Sequence, residues 1–230
     1  MVFKLGKVSK TKAYTLVELL VVMGVLLIGF SAVFIGTSSG DGAKLSSAQR
    51  TLSGLVKAAR GQAILKNAKV RLIIHDDDNI NEIDKYRRLL GIVYFGTDSN
   101  GNAGWIATDK GTYLPKGIYF DSATSDTESG TNWTTASTMQ INYPRLSPQT
   151  DGSGTNFLFY EFNGNGTSAN SNAYLIFRAG KVVPGSSNTT TLDLPTATEQ
   201  KSSIRSGLIF RQVGTATLVD NPDDIDISSN

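Results

Sequence analysis

The chain has 230 residues, 22 Lys and Arg against 20 Asp and Glu, one histidine and no cysteine. The lack of cysteine excludes disulfides, thiolate metal sites and a cysteine nucleophile, and the single His75 excludes a multi-histidine metal cage. The length suits one domain with an appendage or two small domains, and 23 glycines with 40% hydrophobic residues favour a loop-rich β domain.

Basic charge is concentrated in the N-terminal third of the chain. Residues 1–13 carry four lysines and no acid, and residues 37–69 carry six basic side chains against one aspartate. From residue 70 onward acidic side chains are in excess. A nucleic-acid-binding body needs a basic face, so nucleic acid is not expected as a partner.

An apolar segment runs from Tyr14 to Ile35 and contains Glu18 as its one charged residue. As a helix it is roughly 33 Å long, enough to cross the hydrocarbon core of a bilayer. The preceding lysines favour a cytoplasmic N-terminus. A secretory signal peptide cut near residues 31–39 and a simple signal anchor are both alternatives. Neither explains Glu18, because a carboxylate in such a segment is costly and usually has a partner.

Residues 12–20 read Lys-Ala-Tyr-Thr-Leu-Val-Glu-Leu-Leu, and this string resembles the class III leader of type IV pilins and type II secretion pseudopilins. The resemblance implies that a prepilin peptidase cuts between Ala13 and Tyr14 and that Tyr14 is then N-methylated. It also implies assembly roles for Thr15, Leu16 and Glu18. Ala13 stands where the family usually has Gly, and Tyr14 where it usually has Phe.

Residues 36–42 contain three glycines, which predicts a break in the helix. Beyond it, apolar residues at helical spacing predict an amphipathic helix over residues 43–68, with Arg50 and Lys57 on the opposite side. The predicted buried stripe comprises Leu45, Ala48, Leu52, Leu55, Val56, Ala59 and Ala63.

From Val70 the pattern changes to short β-branched and aromatic runs separated by turn residues. The Asn-Gly pairs at residues 163–166 predict a hairpin. Residues 122–156 and 184–203 are expected to be long loops, and residues 220–230 an acidic, frayed tail. The predicted strands are residues 70–74, 89–95, 117–120, 156–162, 173–178 and 207–212.

The order of a membrane helix, an amphipathic helix and an antiparallel β domain predicts a pilin-like α+β fold. The expected division is a leader at 1–13, a transmembrane helix at 14–36, the amphipathic helix at 43–68, a periplasmic β domain at 69–219 and the tail at 220–230. Residues 58–72 resemble the helix end and first strand of H-type minor pseudopilins, and the segments at 114–118, 162–167 and 173–177 resemble later strands of that family.

The resemblance implies a structural minor pseudopilin subunit of a bacterial type II secretion pseudopilus. It implies one pass through the inner membrane, with the N-terminus cytoplasmic and the β domain periplasmic. The implied partners are the prepilin peptidase, other pseudopilins or pilins, and secreted cargo. The alternatives are a type IV pilus minor pilin for adhesion or DNA uptake, and a non-pilin anchored or secreted β-domain binding module.

Two segments carry weak signs of metal or catalytic chemistry. Residues 75–79, His-Asp-Asp-Asp-Asn, are predicted to form a solvated turn after a strand, because neighbouring acids on a strand point to opposite faces. Asp98, Asn100, Asn102 and Asp109 have calcium-loop spacing, but the turn glycine is displaced by one place. The sequence shows no catalytic constellation, so we expect neither an enzyme nor a cofactor.

Overall fold

The computed structural model describes residues 16–17, 19–23, 40–128, 131–132, 137–169, 173–185, 188–194 and 205–220. The chain divides into two compact units, Met1–Gly40 and Asp41–Asn230. Each unit is described by itself below.

In the first unit, residues 16–17 and 19–23 are helical. All seven of these residues are apolar, and between 52% and 80% of each is exposed. A helix that is apolar on every side has to be covered by lipid or by other protein. No helix within the described residues has both the length and the apolar character needed to span a membrane.

The second unit begins with helix α1, Asp41–Lys66. Asp41 lies in the first turn, where a carboxylate favours the positive end of the helix dipole, and it also accepts a hydrogen bond from Lys44 at 3.1 Å. The helix ends where Asn67 adopts a left-handed conformation with φ of 46°. These two features place the helix two residues earlier at both ends than the predicted 43–68.

The predicted apolar stripe of α1 is confirmed. Ala48, Leu52, Val56, Ala59 and Ala63 are all buried, and the two other predicted leucines are partly buried against the same core. Burying a large aliphatic side chain stabilises a fold by about 1.5–3 kcal/mol, so this face holds the helix on the sheets.

Within the described residues, the first sheet contains six strands: β1 Val70–His75, β2 Leu89–Thr97, β3 Ala103–Ala107, β4 Thr112–Tyr113, β8 Thr138–Ile141 and β9 Thr155–Phe162. It is antiparallel and has the strand order β3-β2-β1-β9-β8, with β4 paired to β2. Strand β1 lies at its centre and packs against α1 on one face.

The second sheet has the order β14-β13-β10-β6-β7, with β5 paired to β10. A separate two-stranded ribbon joins β11 and β12. The strands are β5 Ile118–Phe120, β6 Asp126–Glu128, β7 Thr131–Asn132, β10 Tyr174–Ala179, β11 Lys181–Pro184, β12 Thr190–Asp193, β13 Arg205–Phe210 and β14 Ala216–Val219.

The main core is formed by α1 together with side chains from both sheets. At its centre Tyr160 stacks on Phe210, with ring centroids 3.6 Å apart, and Phe162 packs edge-on against both rings. A smaller core includes Ile73, Val93 and Met139 of the first sheet. Side chains of β1 therefore enter both cores, which explains why five of its six residues are buried.

The hairpin turn predicted at residues 163–166 is present, but it does not join two neighbouring strands of one sheet. A bridge between Phe162 and Ser168 and a 2.9 Å bond from the Asn163 amide to the Thr167 carbonyl close the turn. However, β9 pairs with β1 and β8, whereas β10 pairs with strands of the second sheet. The chain thus changes sheets here.

Strands β6, β7, β8 and β12 lie within the segments predicted to be loops, and β3, β4, β11 and β14 were not predicted. These strands are short, and polar or glycine residues surround them. Strand β8 shows why local sequence is insufficient to predict such strands. Its side chains alternate between exposed and buried only because β9 pairs beside it.

We expect the second unit to fold without the first. A truncated chain starting at Gly40 retains the whole of α1 and both cores, so it should be soluble. Its circular dichroism should be mainly β, with a minor contribution from the 26-residue helix. An insoluble or predominantly helical product would contradict this division of the chain.

Candidate functional site

The predicted processing and assembly residues belong to the first unit. Ala13, Tyr14, Thr15 and Glu18 lie outside the described residues. Leu16 is described, is helical and is 80% exposed. Its exposed apolar side chain is available to lipid or to a neighbouring subunit, while the cleavage and charge-pairing roles stay predictions.

In the second unit, Gln49 fastens α1 to the last two strands. Its side-chain amide donates to Ser206 Oγ, to the Val219 carbonyl at 3.2 Å and to Asp220 Oδ1 at 3.3 Å. Ser206 Oγ also bonds the Val219 carbonyl at 3.0 Å. Gln49 is 7% exposed, so this polar group is buried but satisfied. Gln49 is not in the predicted buried stripe, because its burial depends on residues far along the chain.

The face of α1 opposite the buried apolar stripe is basic and open. Arg50 and Lys57 are exposed, and neither side chain has an ion pair or hydrogen bond with another described residue. Gly54 and Gly61 lie on the same face, and a Cβ atom added at either would meet no atom within 4 Å. This face is therefore uncovered within the described part of the second unit.

The C-terminal half of α1 contacts two tight turns. Arg60 Nε donates to the Gly166 carbonyl at 3.2 Å, and Gly166 and Gly214 both have positive φ, of 79° and 78°. A Cβ atom at Gly214 would lie 1.9 Å from the Gly166 carbonyl oxygen. Only glycine fits such an approach, so these turns bring the end of β13 and the start of β14 beside Arg60.

The outer face of the first sheet carries an arginine held between aromatic rings. The Arg71 guanidinium lies 4.1 Å from the Trp105 ring centroid and 3.7 Å from that of Phe159. Its Nε donates to Glu161 at 2.9 Å, and Nη1 lies 3.6 Å from Asp151. Stacking and ion pairing together fix this side chain, which favours a structural role in bracing three strands.

Acid should weaken this cluster. Burial alone raises the pKa of Glu161, but hydrogen bonds and charges from Lys69 and Arg71 outweigh burial and hold the pKa below its usual range. The folded chain then binds fewer protons at Glu161 than the unfolded chain does. The stabilisation is therefore complete above about pH 5 and is lost as the pH falls through the lowered pKa.

We expect Glu161→Gln to reduce the free energy of unfolding by about 1.5–3 kcal/mol at neutral pH, measured by urea denaturation of the truncated chain. The difference from wild type should shrink towards pH 3. Asp151→Asn is the matched control, because Asp151 is more exposed and more distant from Arg71, and its effect should stay below about 1 kcal/mol. If the free energies of unfolding of Glu161→Gln and wild type differ by the same amount from pH 7 to pH 3, the charge of Glu161 does not contribute to stability.

His75 is a buried strand-end residue, 1% exposed, and not part of a solvated turn. Its Nε2 bonds Glu82 Oε2 at 2.8 Å, and because a carboxylate only accepts, Nε2 carries the proton. Burial outweighs Glu82 and lowers the pKa of His75. Asp76 forms an ion pair with Arg87, so the predicted solvation holds only for the exposed residues 78–79.

The four residues with calcium-loop spacing do not converge on one site. Asp98 caps the β2–β3 turn by accepting bonds from the amides of Asn100 at 2.9 Å and Asn102 at 2.8 Å. Asp109 lies at the other end of β3, where it accepts from the Tyr143 hydroxyl at 2.9 Å. Within the described part of the chain, no group of three or more His, Cys, Asp or Glu side chains is placed to hold a metal ion.

A polar cavity of about 420 Å³ lies beside β3, lined by residues that include Asn142, Arg145 and Gln149. Sequence reasoning missed it because the lining belongs to a segment predicted to be a loop. The Gln149 side chain accepts from the Asn142 amide at 2.8 Å and donates to its carbonyl at 3.1 Å. Both polar groups of the Gln149 side chain are therefore already hydrogen-bonded within the protein.

Comparison with known families decides the nature of the N-terminal segment. Residues 8–34 match the prokaryotic N-terminal methylation motif. The chain carries a prepilin-type N-terminus. The predicted resemblance of this segment to pilin and pseudopilin leaders is therefore confirmed.

Two solved structures are similar to the chain, and both are of the minor pseudopilin EpsH from the type 2 secretion system of Vibrio cholerae. The first has 13% sequence identity to this chain and a TM-score of 0.41, and the match covers 80% of this chain and 99% of the EpsH chain. The other has 11% identity and a TM-score of 0.39, with 78% and 95% coverage. No curated protein matches the sequence. The α+β class rests on the described helix and sheets themselves.

Proposed function

We propose that this protein is a minor pseudopilin, a structural subunit of a bacterial type II secretion pseudopilus. The observation that carries the proposal is the N-terminal methylation motif at residues 8–34. The α+β body, in which a helix packs on antiparallel sheets, agrees with a pilin-like subunit. In this role the protein acts by assembly and not by catalysis.

The proposed processing follows from the motif. A prepilin peptidase cuts between Ala13 and Tyr14, and the new amino group of Tyr14 is methylated. Thr15 and Leu16 complete the recognised segment, and Glu18 pairs with the N-terminal amine of a neighbouring subunit. Such pairing compensates a carboxylate that is otherwise costly in an apolar bundle, so it favours addition of the next subunit.

The proposed location is the inner membrane, with the leader cytoplasmic and the second unit in the periplasm. The described residues of the first unit support it, because all seven expose apolar side chains. The second unit then faces neighbouring pseudopilins and secreted cargo.

Deletion of the gene tests the proposal. We expect substrates of the type II system to accumulate in the periplasm, and we expect the wild-type gene to restore their secretion. Lys116→Glu changes an exposed lysine that has no partner among the described residues, so it should restore secretion equally well. Normal secretion together with loss of pili or DNA uptake would instead assign the chain to a type IV pilus.

A further inference from the structure

An acidic segment leaves the body beside the basic face of α1. Strand β14 runs antiparallel to the helix, because Gly214 lies near Arg60 whereas Val219 bonds Gln49. Asp220, the last described residue of this strand end, also bonds Gln49. The ten following residues contain three aspartates at 223, 224 and 226 and no basic side chain.

Two cations on the neighbouring face of α1 have side chains without a partner among the described residues. Arg50 directly follows Gln49 in the sequence, and Lys57 lies seven residues further on the same face of the helix. Both are exposed and unpaired among the described residues. Other basic side chains in this region are occupied: Lys44 pairs with Asp41, and Arg60 bonds the Gly166 carbonyl.

The length of the segment fits the separation. From Gln49 to Lys57 the helix rises about 12 Å, at 1.5 Å per residue. The six residues that follow Asp220, up to Asp226, span at most roughly 20 Å when extended. The chain therefore has enough length to turn after Pro222 and to bring its aspartates beside Arg50 and Lys57. The open space above Gly54 and Gly61 leaves room for a second backbone.

We propose that the acidic segment at residues 221–230 docks on the exposed basic face of α1, with its aspartates paired to Arg50 and Lys57. Each exposed ion pair is weak, but the short tether holds the two partners at a millimolar effective concentration. The docked segment then competes with any acidic partner surface for this face. The contact is intramolecular and does not depend on the assembly role proposed above.

Zero-length carbodiimide cross-linking of the full chain in detergent tests the proposal, because it joins only a carboxylate and an amine that touch. Mass spectrometry should find residues 223–226 linked to Lys57. We expect this link to be about five- to tenfold more abundant than a link to Lys116, the exposed reference lysine, as a few weak ion pairs would produce. Salt at 0.5 M should abolish the preference, since surface charges are then screened.

Two variants separate the effect of the positive charge on docking from the need for a reactive amine in the cross-link. Arg50→Glu should reduce the link to Lys57 several-fold, whereas Lys57→Arg keeps the charge and removes the reactive amine, so only that link should disappear. Equal links to Lys57 and Lys116 would overturn the proposal. A mixture of ¹⁵N-labelled and unlabelled chains tests the intramolecular assignment, and mixed-isotope links would overturn it in favour of contact between copies.

Discussion

Coexpression with a prepilin peptidase should remove residues 1–13, a loss of about 1.4 kDa from a chain of 24.6 kDa and 230 residues. The physical basis is a basic leader followed directly by an apolar helix, which places the bond after Ala13 at the cytoplasmic membrane surface. N-terminal sequencing and intact mass should show Tyr14 as the first residue, carrying one methyl group.

Ala13→Trp should abolish this cleavage, because the peptidase of the proposed function cuts after a small residue. Ser9→Trp is the matched control, since it adds the same ring four residues earlier and should be processed normally. Persistence of the full-length chain beside an active peptidase would contradict the prediction. A cut beyond Ile28 would instead indicate an ordinary secretory signal peptide.

Replacement of Glu18 should uncouple insertion from assembly. Glu18→Ala removes a costly charge from an apolar segment, so membrane insertion and leader cleavage should be unchanged or improved. Recovery with partner pseudopilins in a detergent pull-down should fall by at least about tenfold, because loss of one member of a desolvated charge pair costs about 2–5 kcal/mol.

Glu18→Gln is the sharper variant. It keeps the shape and hydrogen bonding of the side chain but removes its charge, so it should lose partners nearly as strongly as Glu18→Ala. Leu19→Ala is the control, because it removes apolar area without removing charge and should keep most of the recovery. Unchanged recovery with both Glu18 variants would reject the amine-pairing role.

Elements defined by a repeating local pattern could be predicted from the sequence. The stripe from Ala48 to Ala63 has the helical period, and the structure buries it. The β-branched and aromatic runs that begin at Val70, Leu89 and Asn156 became β1, β2 and β9. In each case the apolar residues that meet the core are close together in the sequence, so the local pattern carries the signal.

Features that depend on distant partners could not be predicted. Strand β8 exists because β9 lies beside it, and Gln49 is satisfied only because Ser206 and the end of β14, far along the chain, approach it. Arg71 is likewise held by rings and carboxylates from other strands and from the segment that follows β8.

The sequence by itself determined the prepilin-type N-terminus, the helical stripe and the main strands, because each is a contiguous pattern that needs no tertiary context. Only the tertiary structure decided that the chain changes sheets after Phe162, that His75 is buried, and that Asp98 and Asp109 lie at opposite ends of β3. The physical reason is the same in all three cases. Strand pairing and burial depend on which distant segments meet, and spacing along the chain does not encode that.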